Sequence, residues 1–182
     1  MRLFIAVDLT DSLRKQAQNV QSSLKGDWDV GWVPSQNLHF TLKFLGEVHE
    51  DQVKDIVKEI KELLGSVKPF SLGLEGAGYF GTPRYLRVLW LRVKEGKQEM
   101  IDLMKQFNSR LDFVRKDTYP SRVHLTLGRV KSNRNVHKLA ETIDGMKNVK
   151  IGTMDVKTIV LKQSILGRGT PRYEDVKQFS LG

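Results

Sequence analysis

Apolar and polar positions alternate along the chain in a way that predicts short strands and amphipathic helices. From residue 12 to residue 24, apolar residues recur at spacings of four and three, which predicts a helix. Residues 38–44 alternate with a period of two, which is typical of a half-buried strand. The same criteria predict strands at 2–8, 70–74, 85–93, 122–130, 156–161 and 176–181, and helices at 53–64, 100–111 and 136–143.

The second half of the chain repeats this order of elements. A shift of 85 residues places His39 on His124 and Thr41 on Thr126, and it also lays residues 3–5 on residues 88–90. A strand–helix–strand–helix–strand unit used twice explains both coincidences. We therefore expect one domain over 1–182 with two similar lobes, approximately 1–80 and 81–182, that face each other across a cleft.

Two copies of the pattern His-x-Thr-Leu stand out within this repeat, at 39–42 and 124–127. Residues i and i+2 of a strand point to the same face, so His39 shares a face with Thr41. The apolar residues between and after them, up to Phe44, are expected in the core. Each polar pair is thus held on a rigid strand, as a catalytic constellation requires.

Two facing imidazoles suit phosphodiester chemistry. An ordinary imidazole has a pKa near 6.5, so one ring can be neutral while the other is protonated at the same pH. The neutral ring takes a proton from water, and the protonated ring gives one to the leaving alkoxide. Threonine hydroxyls and a guanidinium, such as that of Arg129 or Arg122, can bind the phosphate oxygens. This chemistry needs no metal, and no cofactor is expected.

The composition indicates the charge of the partner and excludes several kinds of site. The formal net charge is +9, which indicates an anionic partner. The cysteine count is zero, so disulfide, thiolate–zinc, iron–sulfur and cysteine-nucleophile sites are excluded. The N-terminal apolar run stops at Asp8 and is too short for a signal peptide core, so we expect a cytoplasmic protein with no membrane contact.

These motifs resemble those of the 2H phosphoesterase superfamily, and most closely the bacterial and archaeal RNA 2′,3′-cyclic phosphodiesterases, also called 2′-5′ RNA ligases. The resemblance covers essentially the whole chain: it begins at 2–7, includes 39–46, 78–80, 83–84, 89–90 and 124–129, and closes with 161–164, Gly169 and Tyr173. It implies an α+β fold with pseudo-twofold symmetry, built from two antiparallel sheets with helices outside and a basic central cleft.

The resemblance also implies a reaction and roles for individual residues. RNA ends that carry a 2′,3′-cyclic phosphate would be opened to a 2′-phosphate. Independently of the resemblance, the closed two-lobe core suggests a monomer, and tRNA fragments are one candidate substrate. His39 would be the acid and His124 the base, while Thr41, Thr126 and Arg129 bind phosphate. Weak ligation that forms a 2′-5′ linkage without ATP is a second implied activity.

Further candidates for RNA contact are basic or aromatic. They are Lys43, Arg122, Tyr79 and Phe80. The residues alone leave two other functions open: an RNA 3′-end binding module without turnover, and a phosphodiesterase for small cyclic nucleotides or 2′-5′ oligonucleotides. The pseudo-symmetry also leaves open which histidine is the acid.

Overall fold

The computed structural model describes residues 1–117, 122–167 and 169–182, and within these ranges it contains four α-helices and nine strands. The helices are α1 (Asp11–Ser23), α2 (Val53–Leu64), α3 (Lys97–Arg110) and α4 (Val136–Asp144). The strands are β1 (Arg2–Asp8), β2 (Val30–Trp32), β3 (His39–Glu47), β4 (Phe70–Thr82), β5 (Tyr85–Val93), β6 (His124–Val130), β7 (Lys150–Val156), β8 (Thr158–Ile165) and β9 (Arg172–Ser180). No described helix has the length and apolar character needed to cross a membrane.

The strands form two antiparallel sheets. The first sheet has the order β3-β1-β8-β9, and the second has the order β2-β6-β5-β4-β7. Apart from the short edge strand β2, the two orders correspond strand for strand, with β3 matching β6 and β1 matching β5. The predicted α+β fold with two antiparallel sheets is confirmed.

The two lobes do not follow the two halves of the sequence. Strands β2 and β4 come from the first half of the chain but pair within the second sheet, whereas β8 and β9 return to the first sheet. The expected division into 1–80 and 81–182 is therefore wrong, because each half contributes strands to the other half's sheet. A single cut of the chain cannot separate the lobes.

Helices cover the outer faces of the sheets, as their apolar stripes require. Helix α1 begins after Thr10, whose side chain accepts a hydrogen bond from the Leu13 backbone amide, and it buries Leu13, Ala17 and Val20. It packs against β7, while α3 packs against β3. The inner faces of β3 and β6 are left facing each other, and these two strands are in contact.

Candidate active site

Both His-x-Thr motifs line one cavity of about 190 Å³ between the sheets. The five residues predicted to bind or react with phosphate all contribute to its wall: His39, Thr41, His124, Thr126 and Arg129. Asn37, Phe44 and Tyr173 complete much of the remaining wall.

A β-bulge follows the threonine of each motif. The extra residue is Leu42 in β3 and Leu127 in β6. Because an extra residue reverses the alternation of side chains, the residue three positions after each threonine returns to the cavity face. Those residues are Phe44 and Arg129. The prediction that Phe44 lies in the core is therefore wrong, and its side chain is 54% exposed.

The His39 ring is held through its Nδ1 atom, which donates to the Asn37 carbonyl oxygen at 2.7 Å. Its Nε2 atom therefore faces the cavity, 3.0 Å from the Thr41 hydroxyl. Burial lowers the pKa of His39, and the bond to the Asn37 carbonyl and the charge of Asp8 act in the opposite direction. The positive charges of Lys162 and Arg14 add to the effect of burial. In the neutral state Nε2 accepts from Thr41, and in the protonated state it can donate.

The His124 ring is held in the same way. Its Nδ1 atom donates to the Arg122 carbonyl oxygen at 2.7 Å, so Nε2 is again the ring nitrogen directed to the cavity. Burial lowers the pKa of His124, and the positive charges of Arg129 and Arg122 act in the same direction, while the bond to the Arg122 carbonyl acts in the opposite one. The 85-residue repeat thus extends to the two carbonyls, because Asn37 and Arg122 each stand two residues before their histidine.

Aromatic rings fix the orientation of both imidazoles. His39 packs against Phe4 and Tyr173, with ring centroids 5.0 and 5.2 Å apart, and His124 meets Phe80 edge-on at 5.0 Å. The sequence did not identify Phe4, Tyr173 or Asn37 as site residues. The repeat offered a signal for Asn37, whereas Phe4 and Tyr173 reach His39 only through pairing of distant strands.

Three candidates for RNA contact lie outside the cavity wall. The Arg122 guanidinium stacks on Phe80, with Cζ 5.5 Å from the ring centroid, so both side chains flank His124. Tyr79 is half-buried and packs against the hydrophobic core. Phe80 thus supports a histidine, and Tyr79 supports the core.

Lys43 is turned away from the cavity, so its predicted contact with RNA is wrong. Its side chain is 0% exposed, because the bulge at Leu42 directs it to the α3 side of the sheet. There the ammonium donates to Asn108 Oδ1 at 2.8 Å and to Asp117 Oδ2 at 3.3 Å. The lysine anchors the segment that follows α3.

We expect Lys43→Met to leave kcat/KM for an RNA substrate within about twofold of the original value, because Lys43 does not line the cavity and the Asp117 carboxylate that it leaves behind is partly exposed to water. Asp117→Ala leaves the buried ammonium without its carboxylate and should destabilise the fold by about 1 to 3 kcal/mol, less than for a fully buried pair because Asp117 is partly exposed. Urea unfolding and steady-state kinetics check both. A tenfold rise in KM for Lys43→Met would restore this lysine as an RNA contact.

Comparisons with known proteins agree with this site. The family described as LigT like Phosphoesterase matches residues 7–90 and 91–173, one match for each motif. The RNA 2′,3′-cyclic phosphodiesterase of Methanothermobacter thermautotrophicus is 41% identical over 100% of this chain and 99% of its own length. The protein of that name from Archaeoglobus fulgidus is 36% identical over 98% of this chain and 99% of its own length.

Solved structures show the same architecture. The crystal structure of TT0787 of Thermus thermophilus has a TM-score of 0.84 and 26% identity, covering 100% of this chain and 98% of that one. The structure of E. coli LigT complexed with 3′-AMP has a TM-score of 0.79 and 25% identity, covering 99% and 97%. The two motif matches, the full-length relatives and the shared fold together confirm the predicted family: the chain belongs to the LigT-like phosphoesterases of the 2H superfamily.

Proposed function

We propose that the protein hydrolyses the 2′,3′-cyclic phosphate at the 3′ end of RNA and leaves a 2′-phosphate. The observation that carries this proposal is the placement of two imidazole Nε2 atoms in one cavity with two threonines and an arginine. The full-length relatives named RNA 2′,3′-cyclic phosphodiesterase support the same reaction.

In the proposed reaction the two histidines have opposite tasks. Neutral His124 removes a proton from water through Nε2 as the water oxygen attacks phosphorus. The bond between phosphorus and O3′ breaks, and protonated His39 gives its Nε2 proton to O3′. The ribose keeps the phosphate on O2′, and proton exchange with solvent returns both rings to their starting states.

The remaining cavity groups stabilise the pentacoordinate phosphorus. The hydroxyls of Thr41 and Thr126 donate to its non-bridging oxygens, and the guanidinium of Arg129 balances their negative charge. In the free protein the Thr41 hydroxyl lies against His39 Nε2. When it turns to the phosphate, it leaves that nitrogen to face O3′.

The surroundings of Arg129 favour an RNA strand, such as a tRNA fragment, as the substrate. Arg129 also lines two flanking cavities of about 420 and 370 Å³. Arg2 and Arg115 line the larger one beside the exposed ring of Phe44, and the smaller one contains further cationic side chains. Cationic groups beside an aromatic ring suit the phosphates and bases of single-stranded RNA.

The same geometry accepts a second nucleophile. If the 5′-hydroxyl of another RNA occupies the place of water, His124 removes its proton, and loss of O3′ leaves a 2′-5′ linkage. This step consumes no ATP, because the cyclic phosphate supplies the leaving group. We therefore include weak 2′-5′ ligation in the proposed function. We also propose that the protein acts as a monomer.

The proposed roles predict a bell-shaped pH profile with its maximum below about pH 6.5. Activity rises with pH as His124 loses its proton and falls as His39 loses its own. Burial lowers the pKa of both rings, so both limbs move to the acid side. Measurement of kcat/KM from pH 4.5 to 9 checks this expectation. A maximum above about pH 6.5 would contradict it.

The proposal is tested with a short RNA that ends in a 2′,3′-cyclic phosphate, incubated with the protein in EDTA. Phosphorus NMR then identifies the product, and a cyclic mononucleotide serves as the comparison substrate. We expect a 2′-phosphate from the RNA, with a higher kcat/KM than for the mononucleotide. Tight RNA binding without turnover would instead support an end-binding module, and preference for the mononucleotide would support a cyclic-nucleotide phosphodiesterase.

A further inference from the structure

Three charged side chains form a continuous ion-paired chain beside His39, on neighbouring strands β1, β8 and β9. The Lys162 ammonium lies 2.9 Å from Asp8 Oδ2 and 2.6 Å from Asp175 Oδ1. The side chain of Lys162 is only 10% exposed. None of the three lines the catalytic cavity, so any effect on the reaction must act through a neighbour.

The neighbour is His39. Asp8 is the cross-strand partner of His39 in the β1–β3 register. Lys162 is the cross-strand partner of Phe4, whose ring packs on the His39 imidazole. The chain therefore lies one strand away from the histidine, within range of direct electrostatic interaction.

Stability alone gives a weak reason for this arrangement. The free-energy cost of removing two charges from water is about as large as the attraction gained by pairing them. Well-packed apolar residues at the same positions would therefore usually stabilise the sheet equally well. The chain holds two carboxylates to one ammonium and therefore keeps one net negative charge. Lys162 also ties Asp8 in place and cancels part of its repulsion toward an entering phosphate.

The second histidine has the opposite surroundings. In the β5–β6 register its cross-strand partner is Arg92, at the position that corresponds to Asp8. Arg122 and Arg129 add positive charge beside it, and among the described residues neither forms an ion pair with a carboxylate. The two sheets match in topology, but the charge at this position is reversed.

Other charged groups around His39 do not remove the difference. From α1, the Arg14 guanidinium bonds the backbone carbonyls of Leu9, Ser35 and Leu38 and adds one positive charge. Arg129 stands across the cavity and faces both histidines. From β9 comes Tyr173, whose pKa is raised by burial, so the phenol is neutral in the working pH range.

We propose that the Asp8–Lys162–Asp175 chain positions charge so that His39, rather than His124, is the proton donor. This inference rests on the proposed function and resolves its pseudo-symmetry. The donor must be protonated when the reaction begins, and the net negative charge of the chain offsets the positive charge of Arg14, so an imidazolium is less unfavourable at His39 than among the arginines around His124. The guanidinium groups around His124 favour the neutral ring that the base requires.

The pKa of each histidine responds to its charged neighbours. Burial lowers the pKa of both rings. At His39 the charge of Asp8 opposes this effect while those of Lys162 and Arg14 add to it, whereas at His124 both charged neighbours, Arg129 and Arg122, lower the pKa. Burial also opposes the charge on Lys162, yet its bonds to Asp175 and Asp8 hold its pKa above the ordinary value. Lys162 therefore stays charged wherever the histidines titrate.

Two substitutions with opposite expected signs test the chain. Asp8→Asn removes one negative charge at nearly constant shape, so the descending limb of the kcat/KM profile should move to lower pH. At pH 8 this shift lowers kcat/KM of Asp8→Asn by about three- to tenfold relative to its value at the optimum. That is the size of effect expected when one charge is removed from the neighbouring strand. Lys162→Met leaves two carboxylates and should move the same limb to higher pH. Asp55→Asn on the exposed face of α2 is the matched control.

The ring itself provides a readout independent of turnover. Nitrogen–proton NMR of His39 in the free protein should show its titration displaced to lower pH in Asp8→Asn and to higher pH in Lys162→Met. If Lys162→Met fails to fold, Asp175→Asn replaces it and should act in the direction of Asp8→Asn.

The outcomes separate this inference from the proposed function. Loss of activity at every pH with unmoved limbs would make the chain merely structural and would overturn the inference. Displacement of the ascending limb would make His39 the base and would overturn it as well. Absence of turnover in the original protein would refute the proposed function, while the His39 titration would still test the effect of the chain.

Discussion

Replacing either His39 or His124 by alanine should lower kcat for a cyclic-phosphate RNA by about 10² to 10⁴-fold. In the proposed reaction each ring carries one of the two proton transfers, and its Nε2 atom faces the cavity because Nδ1 is bonded to a backbone carbonyl. KM should change little, since the threonines and Arg129 continue to bind phosphate. Single-turnover kinetics at saturating protein measures this loss directly.

The losses of kcat in the two single variants should not be additive in the double variant. Residues that act as a unit lose most of their effect with the first substitution, so the double variant should be only slightly slower than the slower single variant. His137→Ala is the matched control, because His137 is exposed on α4. Activity within threefold of the original protein in both motif variants would refute the two-histidine reaction.

Replacing Arg129 by methionine should lower kcat by about 10² to 10³-fold, the usual effect of removing one preorganised donor to a developing charge. Arg129 is the one cavity-lining residue of the described chain with a permanent positive charge, and it is placed there by the bulge at Leu127. Arg129→Lys should recover only part of the activity, because an ammonium cannot present two parallel donors.

A matched control for Arg129→Met is Arg110→Met. Arg110 lies on α3, where it pairs with Glu59 at 3.2 Å, and it lines none of the three cavities around Arg129. Its replacement should leave kcat unchanged. Equal losses in both variants would show that a change of overall charge, rather than a cavity contact, explains the effect.

Local patterning predicted the motif strands, since His39 and Thr41 do share a face and His124 repeats the arrangement. It failed beyond each threonine, because a bulge depends on pairing with a neighbouring strand and leaves no local signal. Strict alternation therefore predicts Lys43 on the cavity face and Phe44 in the core, the reverse of where the two side chains lie. A period-two pattern predicts which face a side chain lies on only as far as the strand keeps its pairing register without a bulge.

Sequence patterning also fails to predict the lobe boundaries and the side chains that support His39, for a related reason. The exchange of β4 and β8 between the sheets is a long-range pairing, which hydrophobic periodicity does not encode. Tyr173 and Lys162 come from strands β9 and β8, far from His39 in sequence. The pairing of β1 between β3 and β8 is what brings these two residues near His39.

The central claim is that His39 protonates the leaving oxygen while His124 activates water. It is tested most directly with a cyclic substrate in which sulfur replaces O3′, because a thiolate leaves without a proton. We predict that His39→Ala loses at least tenfold less activity on the sulfur substrate than on the oxygen substrate, whereas His124→Ala loses equally on both. Equal losses for His39→Ala on the two substrates, or selective recovery of His124→Ala, would contradict the account.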